Sequence, residues 1–128
     1  MPRLTNSGAA LSGLTIVVAG NDAERFHAAL AIAAANAALG ARSRIYLHAA
    51  AAVLANRACP AMRGSQGDGV PTLGELLDEA LAIGVEIIVC QSGLAAAGIS
   101  ADTLTHGIAT GGLIELLSTL DGDQLLMA

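Results

Sequence analysis

The sequence predicts an α/β fold, a three-layer α/β/α sandwich around a parallel sheet of about five strands. Two short runs, Leu14 to Ala19 (LTIVVA) and Val85 to Cys90 (VEIIVC), are rich in β-branched residues and show none of the alternation of a half-exposed strand. Residues that cap or open a helix follow each run, and the segments between runs are long enough for the crossovers that parallel strands require. A chain of 128 residues fits a single domain spanning residues 1–128.

Leu14 to Ala19 reads as the first strand, central in its sheet, and ends at Gly20, Asn21 and Asp22. Asn21 or Asp22 caps the alanine-rich helix Ala23 to Leu39, and Gly40 stops it. Arg44 to His48 forms the next strand and Ala49 to Asn56 a short helix, so the opening half is a βαβα pattern. Pro60, Gly64, Gly67 and Gly69 interrupt it and predict a mobile loop over Ala58 to Val70. Thr72 with Glu75 makes a capping box for a helix whose Leu73, Leu76, Leu77, Ala80 and Leu81 share a face and which ends at Gly84. After the cysteine strand come a small-residue helix, a short strand within Thr103 to Ala109, a helix from Leu113 to Leu120 and an edge strand from Gln124 to Met127.

Hydrophobic residues make up 54% of the chain and charged residues 13%, so much of the surface must be covered. The most apolar segments, Ala28 to Ala41 and Ile45 to Ala55, are too short and interrupted to span a membrane, which leaves a homo-oligomer with apolar interfaces. The net charge of -5 and the six scattered arginines offer no basic stripe for nucleic acid, and only Phe26 and Tyr46 are suited to stacking bases. The first dozen residues lack the apolar centre of a secretory signal, and the two cysteines lie far apart. Both features predict a reduced, cytoplasmic protein.

The candidate chemistry sits at Cys90. A strand delivers its thiol to a helix start, where the backbone N-H groups of Gln91, Ser92 and Gly93 have no partners inside the helix and favour an anion. The alternative is a small buried hydrophobe, a common role for free cysteine. His48 lies at the same C-terminal strand edge, where it would stabilise the thiolate or move a proton if strand order brings the two together. Cys59, in the predicted loop, is a candidate resolving thiol or an incidental one.

Other chemistries are excluded by spacing. Gly20 and Asn21 occupy a ligand-binding edge, but their surroundings are not GxGxxG, and without lysine no Walker motif exists. Ala96 stands where a cysteine phosphatase needs its arginine, and CQSGL is not the GxSxG elbow. His27, His48 and His106 show no metal-ligand spacing with either cysteine, so neither a metal site nor a cofactor is expected.

On these residues the sequence resembles the DsrE/DsrF-like superfamily, which includes TusD-like sulfur-relay proteins. The segment PTLGELLDEALAIGVEIIVCQSGLAAAGIS is similar to the family's helix, strand, cysteine and small-residue helix. ATGGLIELLSTLDGDQLLMA is similar to its closing glycine pair, helix and edge strand. The resemblance implies an α/β/α fold, trimers or hexamers, and a cysteine at the Cys90 position that carries sulfur as a persulfide. Its partners would be sulfur donor and acceptor proteins or small thiols. The competing expectation is a non-enzymatic oligomeric module that binds a small ligand or a protein, with Cys90 inert.

Overall fold

A computed structural model of the chain describes residues 12–64 and 69–128. Five strands, β1 (Leu14–Ala19), β2 (Ser43–His48), β3 (Glu86–Cys90), β4 (Ala109–Gly111) and β5 (Gln124–Met127), form one all-parallel sheet in the order β4-β3-β2-β1-β5. The helices are α1 (Ala23–Ala38), α2 (Leu73–Ile83), α3 (Gln91–Ala97) and α4 (Leu113–Ser118). β1 is flanked on both sides, as a buried strand should be, although β2 takes the middle of the sheet.

Strand order decides which face each helix covers. From β1 to β4 the chain steps across the sheet in one direction, and right-handed crossovers then put α1, α2 and α3 on a single face. The step from β4 back to β5 runs the other way and leaves α4 alone on the opposite face. The buried side chains follow this division. Phe26, Ala29, Leu30 and Ala33 of α1 and Leu73, Leu76, Leu77 and Ala80 of α2 fall at helical spacing, and they pack on Leu14, Ile16, Val18, Ile45, Leu47, Ile87 and Val89. The intervening sheet residues face α4, where Val17, Tyr46, Cys90 and Leu116 make a second, smaller core.

The caps read from the sequence are in place. Asp22 accepts hydrogen bonds from the Glu24 and Arg25 N-H groups, and the Thr72–Glu75 capping box is closed in both directions. Gly40 and Gly84, at φ 93° and 103°, adopt the left-handed conformation that ends their helices. Replacing Thr72 by alanine leaves the Glu75 N-H without its acceptor. We expect a loss of about 1 kcal/mol in chemical denaturation, and an unchanged midpoint would show that the cap contributes nothing.

Three local expectations need correction. Ala49–Ala55 is a 3-10 helix rather than an α-helix, entered through Ala49 at φ 52°. The predicted loop over Ala58 to Val70 contains a 3-10 turn at Pro60–Arg63, because Pro60 sets its first residue and Met62 inserts into the larger core. Residues 65–68 of that loop, like most of the N-terminal segment assessed for an export signal, lie outside the described residues. The strand sought within Thr103 to Ala109 begins only at Ala109, since His106 and Gly107 form a turn closed by Ile108 N-H on Thr105 O.

The face covered by α4 is tied down by a charged network. Arg44, almost wholly buried, donates from Nε to Thr15 Oγ1 at 3.0 Å, from Nη1 to Thr119 Oγ1 at 2.9 Å and from Nη2 to the Leu116 carbonyl at 3.4 Å. The Asp123 carboxylate, its side chain 4% exposed, lies 3.6 Å from Arg44 Nε and 3.3 Å from Arg42 Nε. It also accepts from Thr15 Oγ1 at 2.9 Å. Together these contacts bind the C-terminal end of α4 and the start of β5 to β1 and β2.

Candidate functional site

β3 brings Cys90 to the C-terminal edge of the sheet, and α3 begins at the next residue. The Cys90 side chain serves as the cap of that helix. Its Sγ accepts a hydrogen bond from the Gly93 N-H at 3.3 Å and lies 3.2 Å from Ser92 Oγ. The Ala49 N-H in the turn after β2 also favours the charged sulfur, as does the nearby Tyr46 hydroxyl of β2, which itself has no hydrogen-bond partner among the described residues. Burial pushes the thiol up, but the nearby donor groups of Ser92, Tyr46, Ala49 and Gly93 outweigh it and bring the Cys90 pKa down to about 6. The thiolate is the nucleophilic form, so the arrangement makes this sulfur ionised at neutral pH.

The close approach of α3 to the 3-10 helix after β2 depends on Gly93. A methyl group there would collide with the Ala49 carbonyl oxygen and meet the Ala52 methyl at 3.0 Å. Between α3 and the 3-10 helix runs an open groove of about 500 Å³ lined by Ala49, Val53, Ser92, Gly93, Ala96 and Ala97, with Cys90 not among its walls. A second cleft, about 380 Å³, lies between the sheet and α4, where Arg42, Glu86, Gly111, Glu115 and Leu116 are among its walls.

The sulfur at the end of β3 does not face open solvent. Cys90 is only 5% exposed, because Leu116 of α4 and Tyr46 pack with it. Of the three residues expected to steady the thiolate, Gly93 does so through its backbone and Ser92 through its hydroxyl. Gln91 forms the first turn of α3 and is exposed, and no contact with Sγ comes from it.

His48 does sit beside Cys90 in the strand register, one step beyond the Leu47–Val89 pair. None of the donors to Sγ is His48, however. Its ring packs against Tyr46, with centroids 6.1 Å apart, and its buried Nδ1 has no hydrogen-bond partner among the described residues. Cys59 is half-buried and packs against the larger core on the α1–α2 side, whereas Cys90 belongs to the smaller one, so the fold does not bring the two thiols together. Gly20 and Asn21 are exposed at the same strand edge as Cys90, at the end of β1. Among the described residues no group of three or more His, Cys, Asp or Glu side chains is placed to hold a metal ion.

Sequence reasoning missed Tyr46 and Ala49. Tyr46 shares strand parity with Arg44 and His48, a signal that it faces α4, but only the β2–β3 register shows that it stands next to the cysteine. Ala49 carries no chemical signal in sequence, and its role comes from the left-handed turn.

The fold and site define an α/β domain with one ionisable thiol at the C-terminal edge of a parallel sheet. The chain belongs to the DsrE/DsrF-like family, whose profile matches residues 13–126. Its structure is similar to that of ychN protein from E.coli, with a TM-score of 0.66 and 22% identity over 91% of this chain and 99% of that one. It is likewise similar to BT1422 from Bacteroides thetaiotaomicron, a conserved protein of unknown function, with a TM-score of 0.69 and 22% identity over 96% and 100% of the two chains. MTH1491 from Methanobacterium thermoautotrophicum, also of unknown function, gives a TM-score of 0.70 at 14% identity over 91% and 99%. No curated protein matches the chain. Among the described residues no helix is long and apolar enough to cross a membrane.

Proposed function

We propose that the protein is a sulfur carrier that holds a persulfide on Cys90 and passes its outer sulfur to an acceptor thiol. The Cys90 thiolate attacks the outer sulfur of a donor R-S-SH, the new Sγ–S bond forms as the donor's S–S bond breaks, and the donor leaves as R-S⁻. The proton stays on the outer sulfur. An acceptor thiolate then takes that sulfur by the same displacement and regenerates the Cys90 thiolate, so no external oxidant or reductant is consumed. The observation that carries this reading is the convergence of the Gly93 N-H and the Ser92 hydroxyl on one sulfur at the end of β3. Membership of the DsrE/DsrF-like family supports it. The groove lined by Ala49, Ser92 and Gly93, residues that flank Cys90, would be the side from which donor and acceptor approach. The reducing cytoplasm is the compartment that suits a free thiolate.

Incubation with a persulfide donor followed by intact-mass measurement should add one sulfur, about 32 Da, to the wild type and nothing to Cys90→Ser. An equal gain in both would remove Cys90 from the role. The burial of Cys90 favours a second reading, a binding module of the same fold with an inert thiol. In that case the wild type gains no mass under any donor concentration.

We further propose that the carrier works as a homo-oligomer. α4 covers only part of its sheet face and leaves Ile114 87% exposed, while Met127 on edge strand β5 is 68% exposed beside Leu125 and Leu126. An apolar helix face and an apolar edge strand are the surfaces that association of identical subunits would cover. Ile114→Glu is expected to shift the sedimentation profile toward monomer. A profile unchanged from wild type would move the interface elsewhere.

A further inference from the structure

Tyr46 is fully buried, and its hydroxyl makes no hydrogen bond of good geometry among the described residues. A buried hydroxyl without a partner costs free energy, so its position calls for an explanation. The ring stands on β2, one strand from Cys90 and on the same sheet face, in the small core that holds Val17, Cys90 and Leu116. The hydroxyl lies in the same small core as Cys90 Sγ, which is already served by the Gly93 N-H and by Ser92 Oγ. A neutral thiol can satisfy itself with those two groups. A thiolate accepts more bonds, and the idle O-H is the donor in reach.

We propose that Tyr46 makes Cys90 a leaving group: its otherwise unpartnered hydroxyl donates to Sγ when that sulfur is charged and is released when the sulfur is neutral. The inference rests on the sulfur-carrier reading and adds to it the step at which the residue acts. When an acceptor thiolate attacks the outer sulfur of Cys90-S-SH, the Sγ–S bond breaks and its electron pair goes to Sγ. A leaving thiolate of lower basicity departs faster, and the Tyr46 O-H supplies a hydrogen bond that exists only once charge has developed. Burial pushes the phenol well above its usual ionisation range, so at working pH it remains a donor.

The other titratable groups around the sulfur are few. His48 on β2 has its ring against Tyr46, and Glu115 on α4 reaches over Gly111, which pairs with Cys90. β1 contributes Val17 to the same core, and the turn after β2 and α3 contribute Ala49, Ser92 and Gly93.

The chain contains one tyrosine and no tryptophan, so its near-ultraviolet tyrosine absorbance reports Tyr46 alone. Titrating the wild type should shift that absorbance with the same midpoint as Cys90 alkylation, and Cys90→Ser should abolish the shift. Tyr46→Phe, which keeps the ring, should raise the alkylation midpoint by about one pH unit and slow sulfur discharge to a small thiol, with no loss of thermal stability below about pH 5, where the thiol is neutral. A flat absorbance through the thiol titration, a shift that persists in Cys90→Ser, or an unmoved midpoint in Tyr46→Phe would each overturn the proposal. If the Phe variant does not fold, the absorbance comparison still decides. None of these titrations needs a persulfide donor. Failure of the wild type to take up sulfur therefore counts against the carrier role alone, and normal uptake with a flat absorbance counts against Tyr46 alone.

Discussion

Asp123→Ala is expected to destabilise the protein by about 3–5 kcal/mol, the range found when one partner of a buried ion pair is removed. The substitution takes away the carboxylate that is ion-paired with both Arg42 and Arg44 and leaves the buried Arg44 guanidinium facing Thr15, Thr119 and a carbonyl. It also strips Thr15 Oγ1 of its acceptor. Thermal unfolding should record a fall on the order of 10 °C. Because the network pins α4 and β5, the loss should reach the site: Leu116, which covers Cys90, is held through its carbonyl by Arg44. A variant as stable as wild type would mean that the guanidinium finds water and that the network contributes little.

Gly93→Ala should both destabilise the fold and weaken the thiolate. Its new methyl meets the Ala49 carbonyl oxygen, a backbone atom that cannot rotate away, so α3 must withdraw from the 3-10 helix behind β2. Overpacking of this kind costs about 1–3 kcal/mol. The withdrawal carries the Gly93 N-H, which moves with α3, away from Sγ, which stays with β3. Stopped-flow alkylation should show a midpoint at least one pH unit higher than wild type, if each bond to the charged sulfur contributes about 1.5 kcal/mol or more. A midpoint that stays near 6 would show that Ser92 and Tyr46 suffice.

Much of the fold was legible because its signals are local. Runs such as LTIVVA declare a buried strand, and Asp22, Thr72 with Glu75, Gly40 and Gly84 mark helix ends within a few residues of themselves. β4 was misplaced because three residues, Ala109 to Gly111, carry too little pattern to compete with the threonines before them. The site divides the same way. Cys90, Ser92 and Gly93 are neighbours in sequence, and their contact follows from the first turn of α3. Tyr46 and Ala49 reach the sulfur from another strand, which depends on register and on a left-handed turn. The cover over Cys90 comes from α4, whose side of the sheet is set by the reversal of direction between β4 and β5.

The depressed thiol has a consequence for stability. A group whose folded pKa lies below its unfolded value contributes stability above the unfolded value, and that contribution is lost as pH falls through the folded one. With Cys90 at about 6 in the fold and about 8.5 in an unfolded chain, the advantage of wild type over Cys90→Ser should grow as pH rises across that interval and level off on either side.

The pH dependence of Cys90 alkylation is the most direct test of the central claim, that backbone and side-chain donors hold this buried sulfur as a thiolate. Using a small uncharged reagent on Cys59→Ser, so that one thiol reports, the rate should rise to a plateau with a midpoint near 6. A midpoint near about 8.5, or a thiol that stays unreactive until the protein unfolds, would contradict it.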